Sequence, residues 1–150
     1  MKRFFGLACV AALALPLASC SRSEDLGIGA AAHDGEPFTI AEAVGDGVER
    51  AYVFCPYTDK STGAELGFDP DDFFAIDDNS YAWETYTGIG VIFDDGREPA
   101  VEWFDPTDID ACSEYSGPLD IHTPITPVAE QRQFTDDNTA EVITLQVAAQ

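Results

Sequence analysis

Twenty-eight carboxylates in a chain of 150 residues open two kinds of chemistry, metal binding and acid–base hydrolysis. Asp69, Asp71, Asp72, Asp77 and Asp78 lie close together, and Asp105, Asp108 and Asp110 follow further on. Calcium takes about six to eight oxygen ligands, which acidic loops can supply. The stretch at Asp69 lacks the glycine and the closing glutamate of an EF-hand loop, and aspartates before prolines have ready work as caps and turn formers. A weak Ca2+ site is therefore one expectation, and helix caps and solvated faces are the stronger one. Paired carboxylates could hydrolyse glycosides. Among so many acids some pair always falls at a suitable separation, so that pattern selects nothing. A serine or cysteine nucleophile needs an adjacent base. His33 and His122 are the only histidines, no G-x-S-x-G elbow occurs, and glycine-rich phosphate loops are absent. The residues assign no catalytic role and no organic cofactor.

One thiol sits in a more specific setting. Lys2 and Arg3 form a basic start, and Phe4 to Leu17 is an apolar run broken only by Gly6 and Pro16. At about 1.5 Å per helical residue this run falls well short of the roughly 30 Å hydrocarbon core of a bilayer. It fits a signal-peptide apolar region better than a permanent span. The run closes on Leu17-Ala18-Ser19-Cys20. This tetrad resembles the lipobox of bacterial lipoproteins. The resemblance implies a signal peptide over 1–19, a diacylglyceryl group on the Cys20 sulfur and cleavage just before it. It places the mature chain on the extracytoplasmic side of the cell membrane or the outer membrane. Acyl chains contribute about 0.8 kcal/mol per buried methylene, and one chain alone anchors only marginally. The resemblance covers the leader and says nothing of the domain behind it.

Charge excludes other attachments. All 28 acids follow Cys20, and losing Lys2 and Arg3 leaves five basic residues against them, a net of −23. Such a surface repels nucleic acid and anionic headgroups. The expected partners are the bilayer, through a covalent anchor, and an envelope protein or another cationic partner. Fifteen of the 17 aromatic residues also lie after Cys20, more than a disordered acidic tail would carry. The glycines and alanines of residues 20–36 predict a flexible lipidated tether, spanning roughly 20–25 Å on average. Residues 37–150 then form one domain. Cys9 leaves with the leader. Export implies an oxidising compartment, so Cys55 and Cys112 are expected to form a disulfide.

The elements that must position these groups are mostly strands. Phe38–Val44 and Val48–Cys55 flank Gly45-Asp46-Gly47 and predict a hairpin. Ala51, Val53 and Cys55 point one way, and Tyr52 and Phe54 the other. Tyr81–Phe93 is the clearest strand; Thr87, Ile89 and Val91 share a face, and Gly88 and Gly90 opposite them suggest a bulge. Asp94-Asp95-Gly96 turns the chain into Glu98–Phe104. A strand near Val128–Phe134 and another over Val142–Val147 complete the set. Thr62 with Glu65 reads as a capping box, and Asp69-Pro70 and Asp105-Pro106 as helix starts. The fold class is α+β: a small, mainly antiparallel sheet with short helices and one disulfide. Strands buried on one face send one aromatic set outward, which makes Tyr52, Phe54 and Tyr86 the candidate contact surface, bordered by Tyr57 in the turn Cys55-Pro56-Tyr57-Thr58 that ends the strand. The reading is a membrane-anchored, non-catalytic binding or interaction module. An acidic calcium-binding or structural lipoprotein is the alternative, and a small hydrolase is the least supported.

Overall fold

The computed structural model describes residues 23–58, 60–73, 86–113, 115–135 and 137–148. The order of elements is α1 (Ile28–Asp34), α2 (Ile40–Val44), β1 (Val48–Phe54), α3 (Lys60–Leu66), a single 3-10 turn (Pro70–Asp72), β2 (Thr87–Phe93), β3 (Ala100–Phe104), β4 (Ile109–Asp110), β5 (Gly117–Leu119), β6 (Ile125–Thr135) and β7 (Asn138–Val147). The strands form two sheets, ordered β3-β2-β1-β5 and β4-β7-β6. Every pairing is antiparallel except that of β4 with β7. The fold is α+β, and Cys55 and Cys112 form the expected disulfide, with Cα atoms 5.5 Å apart.

The alternation in β1 and β2 sorts side chains as read from the sequence, but both faces of the larger sheet are buried. Ala51, Val53, Ile89, Val91 and Phe104 join Ile28, Ile40, Ile125 and Leu145 in an aliphatic core. Tyr52, Phe54, Val101 and Trp103 point the other way and meet Phe68 and Phe73 from the segment after β1, forming an aromatic core. Gly88 and Gly90 belong to that second face. No bulge occurs there: β2 pairs without interruption from Thr87 to Val91 with β3, and its register with β1 slips only between Val48 and Arg50. The glycines make room for rings instead. A Cβ on Gly88 would stand 2.6 Å from the Trp103 ring, and one on Gly90 2.6 Å from Phe54 and 2.7 Å from Phe68. Edge-to-face contacts fill the space so made, with Phe54 centred 5.0 Å from Phe73 and Phe73 5.6 Å from Trp103. The buried Trp103 Nε1–H donates to the carbonyl of Asp72 at 2.8 Å, which fastens the 3-10 turn to the sheet.

Three local expectations give way to stronger signals. Residues 38–44 are not the first strand of a hairpin. Phe38 makes one isolated bridge to Ile125, and the chain then enters α2. Thr39 and Glu42 form a reciprocal capping box, each side chain bonding the other's backbone N–H, at 3.2 and 2.9 Å. Thr62 does not begin a helix: α3 already runs from Lys60, so Thr62 lies in its first turn. Asp105 starts a turn rather than a helix. Its carbonyl accepts from Asp108 and Ile109, its carboxylate accepts from Thr107 N–H at 2.8 Å, and the chain then enters β4.

The described part of the supposed tether, residues 23–36, is folded onto the body. Ile28 and Ala32 of α1 are buried in the aliphatic core. Ahead of α1 the chain runs along the outer edge of β3, where Glu24 N–H donates to Val101 O at 3.2 Å and Ser23 Oγ accepts from Trp103 N–H at 3.0 Å. Composition suggested coil because short alanine-rich helices carry little periodic signal; tertiary packing supplies what propensity does not. Residues 20–22, Cys20 among them, lie outside the described residues. No helix among the described residues is long and apolar enough to cross a membrane.

Candidate functional site

The chain leaves β1 at Phe54 and turns at once through Cys55-Pro56-Tyr57-Thr58. Thr58 donates to the carbonyl of Cys55 from its N–H at 3.1 Å and from its hydroxyl at 2.8 Å. Pro56 suits the second position of such a turn, and the third then requires a positive φ, normally met by glycine or asparagine. Here it is tyrosine. Tyr57 has φ 69°, the one positive value outside glycine among the described residues. A left-handed conformation costs a residue with a Cβ roughly 1–2 kcal/mol. The disulfide to Cys112 begins at the first residue of the turn and holds it. The consequence is exposure: Tyr57 is 66% accessible, the most open large apolar side chain described.

Two shallow grooves lie near this region, both lined by residues of β1 and of the segment around β5. A groove of about 260 Å³ runs beside the turn, between Thr58, Thr62 and Leu66 on one wall and Ser116 and Gly117 on the other. A second, of about 450 Å³, is lined by Arg50 and Tyr52 of β1 and by Tyr115, Pro118 and Asp120. Tyr52 borders both. The Tyr115 hydroxyl donates to the Pro118 carbonyl of β5, the strand that lines both. The larger groove has a cation and carboxylates on its rim, Arg50 with Glu49 and Asp120, above an apolar floor at Ala51 and Leu119.

The aromatic residues singled out from the sequence separate here. Phe54 is 2% exposed and lies in the middle of the aromatic core, so it presents nothing to solvent. Tyr52 is buried too and reaches the grooves only at its rim, and Tyr86 packs half-buried against the same core. The outward set was expected because one face of a sheet was taken to meet water; residues 60–73 cover that face. Tyr57 is the member that stays at the surface.

The acidic candidates divide as well. Asp69 caps the 3-10 turn, its carboxylate accepting from Asp71 N–H at 2.9 Å, with Pro70 in the first position. Asp71 and Asp72 stand in that turn. Asp77 and Asp78 lie outside the described residues. Among the described residues no three or more His, Cys, Asp or Glu side chains gather as a metal site would require.

Two carboxylates organise the body: Glu102, which the sequence reading passed over, and Asp110, one of the acidic candidates. Glu102 sits at an inward position of β3, between Ala100 and Phe104 on the aliphatic face. Its Oε2 accepts from Leu26 N–H at 2.9 Å and Ile28 N–H at 3.1 Å, and its Oε1 from Gly29 N–H at 3.0 Å. It thus satisfies backbone donors at the start of α1 that would otherwise be orphans. Burial pushes the carboxyl above the usual glutamate range, against the pull of those three donors. Asp110, on β4, also loses hydration, but Ser113, Arg132 and Cys112 N–H donate to it and together hold it below the usual aspartate range. The legible signal for Glu102 was a charge at an inward position of an otherwise apolar strand.

No family model, no curated protein and no solved structure matches the sequence.

Proposed function

We propose that this chain is a lipid-anchored protein of the bacterial cell envelope whose domain binds a partner, without catalysis, through the Tyr57 turn and the grooves beside it. The anchor rests on the basic start, the apolar run and Leu17-Ala18-Ser19-Cys20. The binding reading rests on Tyr57. A large aromatic side chain is held in water by a backbone conformation that costs free energy, on a turn tied down by a disulfide. Strain of this kind persists where the surroundings enforce it, and it concentrates at binding and catalytic sites. Tyrosine suits contact surfaces because it offers a large rigid area with a polar tip. The grooves are shallow, which fits a segment of protein better than an enclosed small molecule. With a net charge of −23 after the leader, the partner is expected to present basic groups around an apolar centre that seats Tyr57.

Two measurements on the full chain in cells test this. Labelled fatty acid should enter the wild type and not Cys20→Ala; equal labelling of the two removes the anchor. A photo-reactive residue at Thr58 should crosslink one discrete envelope component, and the same residue at the exposed Thr139 should not. Matching patterns from both positions would remove the binding face.

A further inference from the structure

The second sheet ends on an open edge. β6 is its outer strand, and the parity of its backbone is fixed by Phe38, which exchanges hydrogen bonds with Ile125 N–H and O at 2.8 and 3.0 Å. Ile125 therefore turns its backbone groups away from β7. Every second residue does the same, so Pro127, Ala129 and Gln131 direct theirs to the free side. Among the described residues nothing pairs with the outward backbone groups of Ala129 and Gln131. Pro127 has no N–H to offer and blunts the inner end, a common device on edge strands. The ribbon beyond it is exposed, and Phe134 near its tip is 38% accessible.

The side chains of this edge match themselves. Two copies of β6 related by a twofold axis at Gln131 would exchange N–H and C=O bonds between the two Gln131 residues. That register sets Glu130 opposite Arg132 of the other copy. Arg132 is the one basic residue between Ile125 and Val147. It already bonds Asp110 at 2.5 Å and Glu130 at 2.7 Å, and its side chain is still 30% exposed. A twofold partner brings a second Glu130 and a second Arg132 beside the first pair, so the four charges alternate in sign. Registers centred at Glu130 or Arg132 keep the outward bonding groups facing each other, but they set two like charges directly opposite. One centred at Ala129 would place Arg132 opposite Thr126 and leave its charge unmatched. We infer that the free edge of β6 pairs antiparallel with β6 of a second copy of this chain, joining two three-stranded sheets into one of six.

The charge of the body opposes association, so the pairing belongs to ionic strengths where the screening length is about 8 Å. Gln131 N–H points to the partner and not to β7, so Gln131→Pro removes a donor at the centre of the pairing and leaves the hairpin ladder intact. In the full chain expressed in bacterial membranes, Gln131→Cys should give a disulfide-linked dimer above the wild-type background. Thr139→Cys, on β7 of the same ribbon, should stay at background. In sedimentation of the detergent-solubilised chain, Gln131→Pro should weaken self-association by about tenfold, with an unchanged melting temperature at dilutions where both chains are monomeric. The inference is overturned by no dimer from Gln131→Cys, by equal yields from the two cysteine positions, by an adduct with a different protein in place of the dimer, or by undiminished association of Gln131→Pro.

Discussion

The two faces of the four-stranded sheet are built from different materials. The aliphatic face is closed by the second sheet and by residues 23–34, with Glu102 stitching three backbone N–H groups to β3. The aromatic face is closed by residues 60–73, and it is held by rings that meet edge to face above two glycines. One face is sealed by chain distant in sequence. The other is sealed by the segment that follows β1, and the strained tyrosine stands at the start of that segment. The turn proposed as the contact site adjoins the aromatic side, and the disulfide stands at the border, since Cys55 and Cys112 both pack against the aliphatic core while Cys55 opens the Tyr57 turn.

The sharpest way to break this division is to empty the aromatic side. Phe73 is fully buried and touches Phe54, Phe68 and Trp103. Phe73→Ala should cost about 3–5 kcal/mol in denaturant unfolding, at the upper end if the rings cannot collapse into the gap. Removing the disulfide by changing both cysteines to alanine should cost about 4 kcal/mol for a sequence separation of 57 residues. Gly90→Ala overfills the same face and should cost about 1–3 kcal/mol. A like change at Gly96, where a Cβ meets nothing, strains only the local positive φ of 88° and leaves both cores intact.

Acid separates the buried Glu102 and the half-buried Asp110 by sign. The folded state holds the Glu102 proton more tightly than the unfolded chain does. This group therefore adds stability as pH falls through its raised folded value, and the gain is complete below the ordinary glutamate range. Asp110 does the reverse: its contribution is present above the ordinary aspartate range and is lost as pH falls through its lowered folded value. Comparing melting curves with Glu102→Gln isolates the first effect. The stability difference should shift toward the wild type between neutral pH and the glutamate range, and a flat difference would mean that Glu102 titrates as in the unfolded chain.

Much of the larger sheet was legible in the sequence. Alternation in β1 and β2 placed Ala51 and Val53 opposite Tyr52 and Phe54, and Asp69-Pro70 marked its turn because the cap acts locally. The oxidising compartment implied by the leader pointed to the cysteine pair. What escaped was long-range. Ile40–Val44 reads as strand by composition until Thr39 and Glu42 are seen to cap it. The stretch before α1 looks like coil because the group that orders it, Glu102, lies more than seventy residues away. Gly88 and Gly90 suggested a bulge because nothing in their own neighbourhood announces Phe68 and Trp103 above them. The contact surface was misread for the same reason: with the covering segment unseen, Phe54 looked free, while Tyr57 drew attention only as the border of a turn.

Tyr57 is where stability and binding should part. Replacing it with glycine relieves the left-handed conformation and removes the ring together. With a photo-reactive residue at Thr58, Tyr57→Gly should raise stability by about 1 kcal/mol and abolish the crosslink to the envelope partner. A variant that is less stable and still crosslinks would show that the tyrosine serves the fold, and the binding face assigned to it would fall.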